Sequence, residues 1–283
     1  MTTTLKTLRQ DIGFDLGACI VGAVDSATTT SITDAELLDA DESETKYARN
    51  WVKVHLTAGA ETRRVRETDG YAPDTGTLAW GRAMSSTPAA AQEYEIHTLM
   101  HPDDLDTLIN RGLKRCYYLE EEEITVVSGQ REYDLSSITW LSRRSQVAKV
   151  LMIQGTTALK QRQLPMWWSV EEDAGVLTLH VEPISTSSGE TMLLIGIRPY
   201  AVLASDATAT ACPEDWVRAA SVLEVYQWLM RNGPAQDVER YKAARDEAAE
   251  VWYEKCRRYA PRPTFVVQLP DTGSGLPDSS VVT

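Results

Sequence analysis

The sequence is short of the residues and patterns that mark several classes of protein. Its 283 residues include only four cysteines, at positions 19, 116, 212 and 256, and none of them forms a CxxC pair. This spacing does not support a zinc site, and separated free thiols are expected in a reducing compartment such as a cytoplasm. No run approaches the roughly 18 apolar residues of a transmembrane helix, and the start, MTTTLKTLRQDIGF, has no signal-peptide pattern.

Basic residues are also scarce. The chain has 28 lysines and arginines against 41 aspartates and glutamates, which gives a formal net charge of -13. Unspecific binding to nucleic acid requires a surplus of positive charge against the phosphates, so this composition argues against a DNA-coating role. An acidic surface is still compatible with a passage through which DNA slides without sticking, because like charges repel.

Catalytic motifs are missing as well. The sequence contains no GxSxG elbow, no GxxxxGK[ST] loop, no HExxH pair and no glycine-rich dinucleotide fingerprint. We therefore expect a protein that is not an enzyme and that binds no cofactor and no metal.

The stretch EIHTLMHPDDLDTLINRGL, residues 95–113, looks most like an active site because it sets His97 and His101 four residues apart, close to three aspartates. However, Pro102 fits the first position of a helix, and the two aspartates after it would lie in the first turn, where carboxylates meet the positive end of the helix dipole. The alternation of the preceding residues places His97 on the polar face of a strand. Since the two histidines then share no helix face, we predict that neither binds a metal.

β-prone stretches fill residues 18–98 and about 124–203, where short runs are separated by turn clusters. MWWSVEEDAGVLTLHVEPI is typical of a strand, an Asp-Ala-Gly turn and a second strand. EITVVSGQREYDL has Ser-Gly between two β-prone runs, which predicts another hairpin. The four consecutive glutamates at 120–123 predict a solvated loop or a helix end.

Helical patterns occur at both ends of the chain. Residues 1–17 are typical of a short amphipathic helix behind threonines that can cap it. A wide apolar arc runs from Trp216 to Met230, and Asn232-Gly233-Pro234 then ends the helix. A second helix over about 235–259 completes a predicted antiparallel helical hairpin.

These patterns predict an α+β protein in which small antiparallel β-modules are combined with a helical core that includes the C-terminal hairpin. We expect an N-terminal helix at 1–17, a small β-barrel or sandwich at 18–98, and a helical core at 99–260 with a β-hairpin insertion at about 124–203. An extended C-terminal tail, 261–283, follows.

The tail contains a candidate docking segment. Most of it is rich in proline and glycine, which are typical of a disordered chain. Phe265, Val266, Val267 and Leu269 are nevertheless apolar and β-prone, with nothing local to pack against. Exposed apolar side chains of this kind indicate docking on a partner, by addition to a sheet edge or binding in a groove.

Five further residues are candidates for contacts between subunits. Trp167 and Trp168 point to opposite faces if they lie on a strand, so one belongs to a core and the other is able to face a partner. Arg63, Arg64 and Arg66 either bind an anion, form the outward face of a strand or pair with the acidic surface of another subunit.

The order of these elements resembles that of the neck proteins of tailed bacteriophages, the head-to-tail adaptors or connectors encoded beside the portal gene. The resemblance is one of layout and covers most of the chain. A short N-terminal helix precedes a β-module that ends in YEIHTLMHPDDLDTLINRGL, followed by the YDL strand, MWWSVEEDAGVLTLHVEP and PYAVLASDATATACPEDWVRAASVLEVYQWL, a helical hairpin and a tail. The β-insertions make this chain longer than the simplest adaptors, which are mainly helical bundles.

The resemblance implies a structural virion protein of the neck that is synthesised in the host cytoplasm. It implies a homo-oligomeric ring of about twelve copies that docks on the portal protein, contacts a tail or neck protein, extends the DNA channel and joins capsid to tail. DNA would pass through without specific binding, and no membrane would be involved. In such adaptors the C-terminal segment commonly docks on the portal, and Phe265 to Leu269 match that segment here.

Two alternatives belong to other classes. A tail-fibre-linking or receptor-binding structural module would use the same β-modules and tryptophans, and it predicts a trimer with an aromatic groove for sugars. A wall-degrading hydrolase predicts a cleft with a paired acid and base.

Overall fold

A computed structural model describes residues 2–39, 43–44, 46–47, 49–55, 64–84, 86–154, 162–165, 167–182 and 190–261. Over these ranges the chain forms four α-helices and many short strands that pair antiparallel in small sheets. The predicted α+β class is therefore confirmed. Within the same ranges, no helix combines the length and the apolar character needed to cross a membrane.

The helices are α1 Leu5–Asp15, α2 Pro102–Arg115, α3 Glu214–Asn232 and α4 Val238–Tyr259. The strands in chain order are β1 Thr3–Thr4, β2 Cys19–Ala23, β3 Ser26–Ala27, β4 Ser31–Thr33, β5 Trp51–Val54, β6 Arg64–Glu67, β7 Gly70–Ala72, β8 Thr77–Ala79, β9 Glu93–His97, β10 Tyr117–Thr125, β11 Glu132–Asp134, β12 Val147–Gln154, β13 Arg162–Pro165, β14 Trp168–Asp173, β15 Val176–Val181, β16 Thr191–Pro199 and β17 Ala209–Thr210. Packing divides them between two compact units. Unit 1 comprises Met1–Cys116 and Tyr200–Tyr259, and unit 2 is built around Tyr117–Pro199.

Local capping chemistry sets the starts of the first two helices. Helix α1 begins after Thr4, whose hydroxyl accepts a hydrogen bond from the backbone N–H of Thr7 at 3.2 Å. Helix α2 begins at Pro102, as the sequence predicts, and His101 is its N-cap. The Nδ1 atom of His101 accepts a hydrogen bond from the backbone N–H of Asp103 at 3.2 Å. The predicted N-terminal helix and the predicted start of α2 are thus confirmed.

Two four-stranded sheets form the β-part of unit 1. Their strand orders are β2-β9-β5-β6 and β3-β4-β8-β7. Residues from both sheets share one apolar core, which includes Ile32, Val52, Leu78, Tyr94 and Ile96. The Tyr94 hydroxyl is satisfied within this core, because it donates to the Asp34 carboxylate at 2.6 Å. A two-stranded sheet of β1 and β17 joins the first residues of unit 1 to its C-terminal part.

The helices of unit 1 pack closely around α3. At the crossing of α2 and α3, a Cβ atom on Gly112 would lie 2.6 Å from the hydroxyl oxygen of Ser221, so only glycine permits this approach. Helix α4 runs back along α3, and the backbone N–H of Gly233 donates to the carbonyl of Leu229 at the end of α3. This pair of helices confirms the predicted C-terminal hairpin.

Unit 2 contains two sheets with an apolar interior. The strand orders are β10-β16-β12-β13 and β11-β15-β14. Buried side chains from strands of both sheets form its core, for example Val150, Leu179, Met192 and Leu194. The strand–turn–strand prediction for 166–184 is confirmed by β14 and β15, whose connection at Ala174-Gly175 has φ angles of 48° and 83°.

Two sequence-based predictions for unit 2 are wrong. The segment EITVVSGQREYDL is not a hairpin, because β10 pairs with β16 whereas β11 pairs with β15 in the other sheet. The glutamates at 120–123 are neither loop nor helix end but the middle of β10, opposite residues 193–196 of β16. Nine consecutive residue pairs align these two strands, and this long pairing overrides the low β-propensity of glutamate.

Candidate functional site

Unit 1 contains ionisable side chains that are buried together, which we call the buried ionisable cluster. They come from segments that are far apart in sequence: α1, β5 with the residue after it, β9, α2 and the segment before β17. The members are Arg9, Lys53, His55, Glu95, His97, Asp106 and Asp206. The side chains of Arg9, Lys53 and Glu95 are 0% exposed, so protein groups must replace the water that these charges lose.

Strand alternation explains how β5 and β9 supply these charges. On β9, Ile96 faces the apolar core, whereas Glu95 and His97 point to the opposite side. Lys53 of β5 lies directly across from Glu95 in the antiparallel register. The predicted polar face of β9 is buried because Arg9 of α1 lies against it, and His97 is consequently only 2% exposed.

Glu95 is the centre of the cluster. Arg9 donates to its two oxygens from Nε at 2.7 Å and from Nη2 at 3.0 Å. The Nε2 atoms of His55 and His97 each lie 2.7 Å from one of those oxygens, and Gln10 donates at 3.2 Å. Burial by itself raises the pKa of Glu95, but the hydrogen bonds from these neighbours outweigh it and hold the pKa far below its usual range.

Arg9 and Lys53 bridge two further carboxylates. The Nη1 atom of Arg9 donates to Asp106 at 2.7 Å and to Asp206 at 2.8 Å. The Nζ atom of Lys53 lies 3.3 Å and 3.4 Å from the same two carboxylates. Burial alone lowers the pKa of the Arg9 guanidinium, yet the contacts with Glu95 and the two aspartates raise it above its usual value. Arg9 is therefore a permanent cation of the cluster.

His55 completes the charge balance. Its Nε2 atom faces Glu95 at 2.7 Å, and its Nδ1 atom faces Oδ2 of Asp206 at 3.3 Å. The second contact is an ion pair rather than a well-formed hydrogen bond, since that buried oxygen has no hydrogen-bond partner among the described residues. Burial lowers the pKa of His55, but Asp206 and Glu95 raise it by more. An imidazolium at His55 gives three cations, with Arg9 and Lys53, against three carboxylates.

Three side chains in this region have the ligand types of a metal site. The ligand atoms of Cys19, Glu95 and His97 lie within 4.8 Å of one another. However, Glu95 is already bound by the guanidinium of Arg9, whose positive charge would repel a cation. Burial raises the pKa of the Cys19 thiol to about 12, so the thiol stays protonated, whereas a metal binds the thiolate. The cluster therefore fits a structural charge network better than a metal centre, and the absence of a metal stays a prediction.

The second histidine of the predicted pair has a different position. His101 lies outside β9 and caps α2, and its ring packs edge-on against that of Trp51, with 4.7 Å between the ring centroids. Its aspartate neighbours belong to the first turn of the helix. The two histidines therefore do not share a helix face, as the sequence predicts.

A groove beside helix α4 is a second feature of unit 1. It has a volume of about 530 Å³ and lies where the end of α1 meets α3 and α4. Its apolar side chains include Val222 and Val251, and ion pairs of Arg218 with Asp15 and of Lys255 with Asp215 lie beside them. Apolar surface bordered by charge is typical of a protein contact surface.

Comparison with known proteins adds no further assignment. No protein-family model matches the chain, and no curated protein matches it.

The structure describes some of the predicted contact residues. Trp168, the first residue of β14, packs against the core of unit 2, whereas Trp167 precedes the strand and is 46% exposed. Arg66 of β6 donates to the backbone carbonyls of Val65 and Arg82 at 2.9 Å and 3.0 Å.

The other predicted contact residues are two arginines before Arg66 and the docking segment of the tail. Arg64 begins β6. Arg63 and the docking segment Phe265, Val266, Val267 and Leu269 lie outside the described residues. All of these contacts stay predictions.

Sequence reasoning missed most members of the buried ionisable cluster. It singled out His97 but not Arg9, Lys53 or Glu95. Two signals were present: a lysine inside the apolar strand WVKV and an arginine within the apolar stripe of α1. Neither signal identifies its partners, because the residues that meet are separated by up to 197 positions in sequence.

The cysteines are also closer in space than in sequence. All four are free thiols, and Cys116 contacts Cys212, while Trp216 donates its ring N–H to the sulfur of Cys256. Contact with Cys212, together with burial, raises the pKa of Cys116. A thiol with a raised pKa is protonated at neutral pH and poorly reactive, which for Cys116 is typical of a packing residue.

Proposed function

We propose that this protein is a structural subunit of a bacteriophage neck, namely a head-to-tail adaptor. In this proposal, copies form a ring that docks on the portal protein, extends the DNA channel and joins the capsid to a tail or neck protein. The protein acts by binding its neighbours rather than by catalysis.

The observation that carries the proposal is the distribution of exposed apolar side chains over both units. A ring subunit needs two different complementary faces, one for each neighbour, and further surface for the proteins above and below. Large apolar side chains that are at least 43% exposed occur on both units: Phe14, Leu38, Val202, Val251 and Tyr253 on unit 1, and Val127, Trp167 and Val176 on unit 2. The aromatic members of this set, Phe14, Trp167 and Tyr253, are of the residue types enriched in protein interfaces.

The chemistry of the buried ionisable cluster supports a structural role. Its carboxylates and cations bind one another, and the fully buried Arg9 and Glu95 are not accessible to a substrate. A network of this kind fixes the positions of α1, β9 and α2 relative to one another within unit 1. The acidic balance of the whole chain agrees with a DNA passage that does not retain DNA.

The tail provides the first test. We compare a chain truncated after Arg262 with one truncated after Leu269, which keeps the apolar segment. We expect both to melt within about 1 °C of the full chain, because the tail has too little apolar surface to order alone. Only the longer chain should attach to portal-containing particles. Unfolding of the shorter chain would place the tail in the core, and normal attachment of that chain would refute tail docking.

The mass of the assembly provides the second test. Native mass measurement of the full chain with the portal protein should find a ring of about twelve copies. A trimer that binds sugars would instead favour the tail-fibre-linking or receptor-binding module. Turnover of a sugar, peptide or nucleic-acid substrate that is lost with one carboxylate substitution would contradict the structural role.

A further inference from the structure

The second concavity of unit 1 lies between helices α2 and α3. It has a volume of about 260 Å³, less than half that of the groove beside α4. Its walls are formed by Arg111, Glu224, Gln227, Trp228, Arg231 and Asn232. The buried ionisable cluster contributes no side chain to it, so it is a separate site.

Helix geometry explains why these side chains converge. The close approach of Gly112 to Ser221 brings the backbones of α2 and α3 together. On α2, Arg111 and Arg115 are four residues apart and share one face. On α3, the four lining residues between Glu224 and Arg231 recur at spacings of three and four, so they also share a face.

Positive charge exceeds negative charge in this concavity. Glu224 is already paired with Arg115, which also donates to the side-chain oxygen of Gln227 at 3.4 Å. The side chains of Arg111 and Arg231 have no hydrogen-bond or ion-pair partner among the described residues. Two guanidinium groups thus line one concavity without a counter-ion, in a chain where acidic residues outnumber basic ones by 41 to 28.

We propose that this concavity binds a single carboxylate side chain presented by a partner protein. A guanidinium group offers a planar fork of donors that matches a carboxylate, and two such groups can hold both of its oxygens. The last turn of α3 contributes only about half a negative charge, which two full positive charges exceed. The indole of Trp228 also lines the concavity and forms an apolar part of its wall.

The same features disfavour a nucleic-acid ligand. Glu224 in the wall would repel additional phosphates on either side of the bound one. The net charge of -13 would also repel a polyanion, whereas a single carboxylate needs only local neutralisation. The site does not depend on a ring, so binding to the isolated chain tests it separately from the proposed adaptor function.

The test follows the side-chain Nε–H signals of the arginines by NMR in the isotope-labelled full chain. The probes are a short peptide with one glutamate and blocked termini, inorganic phosphate and a short single-stranded oligonucleotide. We expect the peptide to shift the Arg111 and Arg231 signals saturably, with an affinity that falls as salt is added. Phosphate should bind more weakly, and the oligonucleotide should leave both signals unchanged.

Three variants sharpen the test. Arg111→Gln with Arg231→Gln should weaken peptide binding by roughly tenfold or more. Arg111→Lys with Arg231→Lys keeps the charge but loses the planar, paired N–H donors of the guanidinium group. Its affinity for the peptide should therefore lie between those of the unchanged chain and the Gln variant. The control, Arg82→Gln with Arg240→Gln, removes the same charge from exposed positions of unit 1 and should bind like the unchanged chain.

Three outcomes would overturn the proposal. The first is the absence of a saturable shift with the peptide. The second is an equal loss of affinity in the control, which would indicate unspecific attraction by net charge. The third is stronger binding of the oligonucleotide than of the peptide, which would make the site a nucleic-acid contact. Because all the substituted arginines are exposed, we expect every variant to keep the circular dichroism spectrum of the unchanged chain.

Discussion

Units 1 and 2 both contain paired antiparallel sheets, but their interiors differ in chemistry. Among the described residues, every buried polar or charged residue belongs to unit 1, including the fully buried Arg9, Lys53 and Glu95. The described core of unit 2 consists of aliphatic and aromatic side chains such as Val150, Leu179 and Leu194.

This difference has a consequence for how each unit is stabilised. An apolar core gains free energy in proportion to the area it removes from water, and this gain involves no titrating group. A buried charge network gains little overall, because desolvation offsets the attraction, but removal of one partner leaves a charge buried without compensation. Unit 1 should therefore be more sensitive than unit 2 to pH and to the loss of a single charged group.

The largest effect should follow from Arg9→Met. This change keeps the apolar stem and removes the guanidinium that binds Glu95, Asp106 and Asp206. We expect a loss of about 3–5 kcal/mol in the free energy of unfolding, measured with denaturant. Hydrogen exchange should accelerate at the amides of β9 and stay unchanged at those of β15. Equal acceleration in both strands would contradict the separation of the two units.

Leu179→Ala provides the corresponding test in unit 2. Leu179 is 0% exposed in the apolar core, so its truncation leaves a cavity. We expect a loss of about 2–4 kcal/mol. The loss should be the same at pH 5 and pH 8, because no titrating group is removed. Hydrogen exchange should now accelerate in β15 and not in β9.

The third prediction concerns how the stability of unit 1 falls as pH rises above neutrality. The pKa of His55 is raised in the folded chain from an ordinary value of 6.5, because Asp206 and Glu95 outweigh the opposing effect of burial. The stabilisation by charged His55 is therefore fully present below pH 6.5. It is lost as pH rises through the raised pKa that His55 has in the folded chain. His55→Gln should remove this alkaline decline. An unchanged decline in that variant would show that another group causes it.

At acid pH the stability of unit 1 should change in the opposite direction and fall as pH decreases. The pKa values of Glu95 and Asp206 are lowered from ordinary values of 4.5 and 3.8, since their hydrogen bonds and ion pairs outweigh burial. The stabilisation by these two carboxylates is fully present above pH 4.5. It is lost as pH falls through the lowered pKa values that they have in the folded chain. Protection of the β9 amides from hydrogen exchange should therefore be highest between the acid and the alkaline loss of stability. Protection of the β15 amides should vary little over the same pH range.

The smallest effect should follow from Arg218→Met. Arg218 pairs with Asp15 beside the groove of unit 1, where both side chains are more than a third exposed. Solvent screens such a pair, so we expect a loss below about 1 kcal/mol, further reduced by salt. A loss as large as that of Arg9→Met would mean that exposure does not distinguish the two arginines.

Local sequence signals alone determined several elements of this fold. Pro102 with its following aspartates, the stop at Asn232-Gly233-Pro234 and the turn at Ala174-Gly175 all depend on capping or φ preferences of adjacent residues. These preferences act within one turn of chain and can be read without knowledge of the rest of the protein. They were sufficient to predict the α+β class and the positions of α1, α2 and the C-terminal hairpin.

Only the tertiary structure decided the strand that contains Glu120–Glu123 and the environment of β9. The glutamates are in a strand because β16 lies alongside them, more than 65 positions later in the chain. His97 and Glu95 are buried because Arg9 covers the face on which alternation places them. Strand alternation determines which side a residue faces, but only long-range packing determines whether that side meets water, and burial is what turns these ordinary polar residues into one charge network.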